Sequence, residues 1–429
     1  MKKNLFAVIA LVLSFNAFAQ REPDRVFMPN IHGVKLFKTG GQDNYPIITL
    51  GATMAMELHF DDLDATVKNY NYCYQLCNAD WQPVDLSPFD YITGFSNGRL
   101  NQYRSSSVAK TKYIHYQALL PEQNCMPKIG GNYLLKVYLN GDTSKLAFTR
   151  RVLVLNNIVP VAAKIIQPFN TQLFRTHQKV QFSIDKAKLN IINTQQQLKV
   201  VVLQNYRWAS AVTGIQPLFM RGNLYEYNGE QDCVFPSGKE YRWADLRSFR
   251  FLSDRVDSSD LDTKPFTVWL RPDAERSKTP YITYLDLNGF YQVAATDVNN
   301  PWWQGDYANV HFIFKPGDSQ MFLNKNVYLT GEMADDCTGH ECLMEYNGDK
   351  GIYETTLMLK QGYYSYSYIT KVTDARTKKL RSVPDDTDGN YWGTENDYTI
   401  LIYYRSLAAR SDELVGAVTI NTRNFTTGW

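Results

Sequence analysis

Gly362-Tyr363-Tyr364-Ser365-Tyr366-Ser367-Tyr368 is the stretch whose reading decides the fold class. Successive side chains of an extended chain point to opposite faces. Tyr364, Tyr366 and Tyr368 therefore share one face, and Tyr363, Ser365 and Ser367 share the other. A strand of this kind is expected to pack its tyrosine face into a sandwich core. Outward from it, the chain reads as short runs of β-branched and aromatic residues separated by turn residues, with little helical periodicity. Residues 152–155, 198–203, 267–270, 310–314, 327–329 and 398–404 are strand candidates. The 29 tyrosines and 22 phenylalanines favour the same reading, an all-β chain of tandem β-sandwich domains of immunoglobulin-like or early-set-like build.

The N-terminus reads as a secretory signal over residues 1–19. Lys2 and Lys3 precede an apolar run over residues 5–18, and Ala17-Phe18-Ala19 fits a cleavage site. The run is shorter than the roughly 20 residues that a spanning helix needs. Cleavage would leave 410 of the 429 residues, with equal numbers of basic and acidic side chains. That balance argues against a nucleic-acid partner. The expected divisions are an N-terminal sandwich over 20–155, a middle β-rich region over 156–317 and a C-terminal sandwich over 318–429. Residues 253–264 and 273–280 read as loops, and Lys315-Pro316-Gly317-Asp318 as a turn opening the last domain.

Six cysteines are present. If Cys73 and Cys77 share one strand, their Cα atoms lie about 13 Å apart, too far to bridge. Cys337 and Cys342 flank a turn-like Thr338-Gly339-His340-Glu341 and are close enough in sequence to bridge. With His340 they make a loose C-x2-H-x-C that lacks a fourth zinc ligand. No metal and no cofactor is expected.

Gly94-Phe95-Ser96-Asn97-Gly98 matches the G-x-S-x-G of α/β-hydrolases, but no alternation of strand and helix surrounds it. A polar hairpin loop accounts for it equally, so the chain is read as a non-enzyme. Residues 384–395 imitate a calcium loop but place Pro384 at the first ligand position. Asp61-Asp62 reads as a turn at a strand end. Trp302-Trp303, behind Asn299-Asn300-Pro301, reads as the best exposed aromatic pair for stacking on a sugar. The C-terminal block also resembles the early-set modules of glycogen-binding proteins, although no tryptophan follows Gly331. A periplasmic or surface glycan-binding protein is therefore the alternative function. An outer-membrane barrel is disfavoured because most runs fall short of about 10 alternating residues.

The most distinctive cluster is residues 59–81, HFDDLDATVKNYNYCYQLCNADW, followed by 90–95 (DYITGF), 113–116 (YIHY) and 131–138 (GNYLLKVY). Further segments are 285–290 (LDLNGF), 306–314, 359–364 (LKQGYY), 394–400 (TENDYTI), 403–405 and 412–416 (DELVG). In this order they resemble the Plug proteins of the bacterial type IX secretion system. Leu76 stands where that family tends to have His, and Gly130 where it tends to have Ser. The resemblance implies a non-catalytic periplasmic subunit at the inner face of the outer membrane. Its implied partner is the very large outer-membrane translocon barrel, whose periplasmic opening it closes in the absence of cargo. It also implies partner-contact candidates Asp61, Asp62, Trp81 and Tyr103. The plain alternative for each of these is turn formation or core packing.

Overall fold

A computed structural model describes residues 23–337, 342–373 and 380–424. The expected signal over 1–19 and the turn 338–341, with His340, lie outside the described residues.

Period-2 patterning builds the first domain. In Tyr70–Cys77 the side chains of Tyr70, Tyr72, Tyr74 and Leu76 are buried, while those of Asn71, Cys73 and Gln75 are not. The strand belongs to a sheet ordered Arg25–Val26, Leu146–Leu155, Gly131–Leu139, Tyr70–Cys77, Gly98–Arg99. A second sheet, ordered Ile31–Lys38, Met56–Asp62, Ile114–Leu120, Gln102–Ser105, covers it. Phe60, Tyr116, Tyr133 and Phe148 fill the space between. Cys73 and Cys77 do share one strand, and both thiols are free.

The second domain pairs a sheet built on Val161–Ile166 and His177–Asp185 with one ordered Val212–Thr213, Leu198–Gln204, Asp397–Tyr404, Glu413–Asn421. The third packs Tyr307–Lys315 and Ile352–Lys360 against the twelve-residue strand Gly362–Thr373. Tyr364, Tyr366 and Tyr368 are buried in its core with Phe312 and Phe314, as their alternation required.

The fold class is as expected, but the limits over 156–317 and 318–429 are corrected. Leu198–Gln204 pairs along its whole length with Asp397–Tyr404. Arg242–Asp245 and Tyr307–Lys315 pair with strands from the last block. The second sandwich thus consists of residues 158–236 and 396–421, and the third, roughly 240–394, is inserted into it. A local reading of turns misses this, because the chain closes the second sandwich only after a long excursion. The two connecting segments are bonded to each other. Gly238 N donates to Asn390 Oδ1 (2.7 Å), and Tyr391 N to Gly238 O (2.9 Å). Within the expected loop 253–264, Val256–Asp260 forms an edge strand on Phe266–Leu270. Its polar composition reflects that edge position.

Candidate functional site at the domain seams

The residues that set this sequence apart lie where the three domains touch. From Met56–Asp62 and Ile114–Leu120, the first domain sends Asp61, His59 and His115 towards the third. Strand Ile352–Lys360 supplies Lys360, and Tyr307–Lys315 supplies Tyr307. The Asp61 carboxylate accepts hydrogen bonds from Lys360 Nζ, Tyr307 OH (2.5 Å) and His115 Nδ1 (2.7 Å). His59 Nδ1 lies 3.1 Å from His115 Nε2. His115 donates from Nδ1 to Asp61, and His59 Nε2 lies 3.4 Å from Glu57 Oε2. The indole of Trp302 stacks on His59 at 3.8 Å. Tyr113 OH donates to Gly305 O (2.6 Å), and Gln42 bonds both backbone groups of Val293 across the same seam.

Burial alone would raise the Asp61 pKa. Lys360 and His115 outweigh it and hold the carboxyl below its ordinary value. Burial lowers Lys360, with Asp61 offsetting part of the shift. It also depresses both imidazoles, His59 to about 3 with a further contribution from His115. A histidine kept neutral by burial binds its proton more readily once the seam opens. The seam is therefore most stable above the ordinary value of 6.5 and weakens as pH falls below it. Each imidazole contributes at most about 1.4 kcal/mol per pH unit. Hydrogen-exchange protection factors of the amides in 113–116 and 301–307 are expected to fall between pH 7 and 5.5, once the slower intrinsic exchange at lower pH is divided out. The fall should be smaller in His59→Gln.

A second seam joins the first and second domains through the run Cys77-Asn78-Ala79-Asp80-Trp81. Ala79 N donates to Asp412 Oδ2 (3.0 Å) and Arg405 Nη2 to Asn78 Oδ1 (2.6 Å). Tyr403 OH donates to Asn132 Oδ1 (2.7 Å). Trp81 meets Trp208 edge-on at 5.0 Å, with the Arg151 guanidinium about 5 Å from both rings. Leu153, Leu203, Leu401 and Leu414 complete an apolar cluster. Where all three domains converge, Tyr45 stacks on Tyr206 (4.5 Å), touches Phe290 (5.4 Å) and donates to Asp397 Oδ2 (3.2 Å).

Of the expected contact residues, Asp61 and Asp62 are therefore interior and are corrected as surface groups. Asp62 binds Asn30, Tyr70 and Lys68. Trp81 lies in a seam. Of the four, Tyr103 alone is exposed, at 48%, with its ring 5.7 Å from that of Tyr116. It sits on the edge strand Gln102–Ser105, beside a shallow polar depression lined also by Asn101, Arg104, His115 and Gln117. Sequence reasoning missed Lys360, Tyr307 and Tyr45, because a lone Lys or Tyr carries no signal until its partner far along the chain is placed.

The other motifs have structural roles. A Cβ on Gly94 would lie 2.2 Å from Asn124 O, and one on Gly98 2.4 Å from the Tyr72 ring. The glycines around Ser96 thus admit close neighbours. Gly98→Ala is expected to cost about 1–3 kcal/mol in unfolding free energy and Ser96→Ala less than about 0.5 kcal/mol, read by urea denaturation. Asp386 and Asp388 of the calcium-loop imitation are taken up by Lys325 and by Arg242 and Arg276. Among the described residues no cluster of three or more His, Cys, Asp or Glu is arranged to hold a metal. Trp302, expected exposed, is stacked within the first seam, and Trp303 lies under Arg104.

The family model for the type 9 secretion system plug protein first domain matches residues 31–156. Among solved structures, a hypothetical protein from Parabacteroides merdae ATCC 43184 is 30% identical, with a TM-score of 0.87. The alignment covers 93% of this chain and 98% of that one. Trypsin-activated alpha-2-macroglobulin from Escherichia coli aligns at 9% identity over 90% of this chain and 28% of that one. Its TM-score is 0.15, which carries no argument. No curated protein matches. Over residues 31–156 the chain thus carries the first domain of the type IX secretion system plug proteins.

Proposed function

We propose that this component of the type IX secretion system is a periplasmic, structural subunit that closes the inner opening of the outer-membrane translocon barrel while no cargo occupies it. The observation that carries the reading is the plug-domain match over residues 31–156. The fold suits the task. The first domain is bonded to both others, which favours the three sandwiches acting together at a pore rim. A seal that must detach needs a moderate interface with a polar rim and a few aromatic anchors. Tyr103, on an open edge strand beside Arg104, is the proposed anchor.

The test is capture of the tagged protein from native membranes, with mass spectrometry of what accompanies it. Recovery of one very large outer-membrane barrel, enriched when secretion cargo is depleted, supports the reading, and failure to recover a barrel overturns it. Tyr103→Ala is expected to lower the recovered barrel by about tenfold.

A further inference from the structure

The second domain carries an unusual edge. Phe219–Arg221 pairs antiparallel with Leu224–Tyr227, and Gly222-Asn223 make the tight turn, with Gly222 at φ 58°. Leu218, Phe219, Met220 and Leu224 are 52%, 46%, 58% and 40% exposed. Four large apolar side chains within seven residues form a patch that a soluble surface ordinarily avoids. Met220 stands opposite Tyr225 on one face of the ribbon, while Phe219 stands opposite Glu226 on the other. Exposed apolar side chains thus stand on both faces of the outer strand, while Leu224–Tyr227 pairs in turn with Phe182–Asp185 and buries Tyr225 and Tyr227 in the domain core. The hairpin is therefore a sheet edge whose outer strand and tip are open on both faces, a shape that a fluid medium can cover.

The charges around the tip complement an anionic surface. Arg221 is exposed at the turn, its guanidinium 5.5 Å from the Phe219 ring. The adjoining loop is tied to the hairpin by Lys186 N donating to Asn223 O (2.9 Å). It brings Lys186, whose ammonium lies over the Tyr225 ring, and the exposed Lys188. The nearby carboxylates are Asp185, which accepts from Ala187 N, and Glu226, 4.0 Å from Arg221, so three basic groups stand against two acidic ones. Apolar side chains ringed by basic ones are the composition of a segment that lies in the membrane interface.

We propose that the hairpin 218–224 inserts into the headgroup region of an anionic phospholipid bilayer. In doing so it holds the second domain against the membrane surface. The proposal rests on the reading that the protein works at the inner face of the outer membrane. It adds a lipid contact that requires no barrel.

The test is co-sedimentation of the whole chain lacking residues 1–19 with large vesicles, no other protein being present. Vesicles of phosphatidylethanolamine with phosphatidylglycerol are compared with pure phosphatidylcholine. Binding is expected on the anionic vesicles, at least tenfold weaker in Phe219→Ser/Met220→Ser and weaker again at high salt. Because these positions are exposed, the variant should melt at the parent temperature. Met220→Trp should show an emission blue shift only with anionic vesicles. Absence of vesicle binding, or binding that the double variant leaves unchanged, overturns the proposal. So does a double variant that loses barrel capture and had no vesicle binding to lose, since the hairpin would then be a protein contact. Barrel capture by the unaltered chain is scored separately, so failure here leaves the plug reading standing.

Discussion

Asp61→Leu is expected to destabilise the seam between the first and third domains by about 3–5 kcal/mol, and adding Lys360→Met to restore most of the loss. The carboxylate accepts from an ammonium, a phenol and an imidazole, and it and Lys360 are almost wholly buried. Removing it leaves Lys360 charged in a site that already disfavours its charge. Replacing both members with apolar groups of similar size removes the stranded charge along with the pair. The readout should be local, because three domains need not unfold as one unit. Opening free energies from hydrogen exchange at residues 113–116, 301–307 and 357–361 isolate the seam. A loss below about 1 kcal/mol for Asp61→Leu would mean that water reaches the cluster. A double variant no better than the single one would mean that the ion pair fixes the docking geometry itself.

Such a cluster shows why the sequence was readable at one level and opaque at the next. The alternation in residues 362–368 and 70–77 reports only which face of a strand is buried, and that suffices for an all-β sandwich chain. It does not report which strands pair. The segment 397–404 looks like any apolar strand, and nothing local says that its neighbour lies at 198–204. The distinctive cluster 59–81 was recognisable as a family pattern. Its Asp61, Asp62 and Trp81 are candidates for a partner surface, with turn formation or core packing as the alternative; Asp61 and Trp81 lie in the seams to the other two domains and Asp62 inside the first. Asp61 points to the third domain and Asn78, Ala79 and Trp81 to the second. Distinctive polar residues mark contacts of either kind, and sequence position cannot tell an internal seam from an external one. Tyr103 differs only because its strand is an edge, which depends on the sheet order.

The same physics predicts a second large effect, at the calcium-loop imitation. Arg242 is buried at the base of the third domain. It reaches Asp273 Oδ1 (3.1 Å), Asp388 Oδ1 (2.6 Å) and Ala274 O (2.7 Å) at once. Asp273 also accepts from Tyr366 OH (2.9 Å) and Tyr368 OH (2.8 Å), and Asp388 from Arg276 and from Ser367 (2.6 Å). One guanidinium thus pins the segment around Asp388 to the tyrosine strand whose alternation defines the core. Burial would raise the Asp388 pKa, but Arg242 and Arg276 hold it well below the usual carboxylate range. A depressed carboxylate stabilises above its unfolded value and loses that contribution only as pH falls through the folded one. This network should therefore survive at pH 4–5, where the histidine seam has already weakened. Arg242→Met removes three hydrogen bonds but leaves Asp273 with Arg255 and Asp388 with Arg276, at a cost of about 2–4 kcal/mol. For a domain of this size that lowers the melting temperature by roughly 4–16 °C. Arg242→Lys should recover little, because a single ammonium cannot span two carboxylates and a carbonyl in the planar geometry of the fork. Calorimetry of the parent and the two variants decides the matter. Equal melting of Arg242→Lys and the parent would mean that charge alone, and not the bidentate geometry, holds this segment in place.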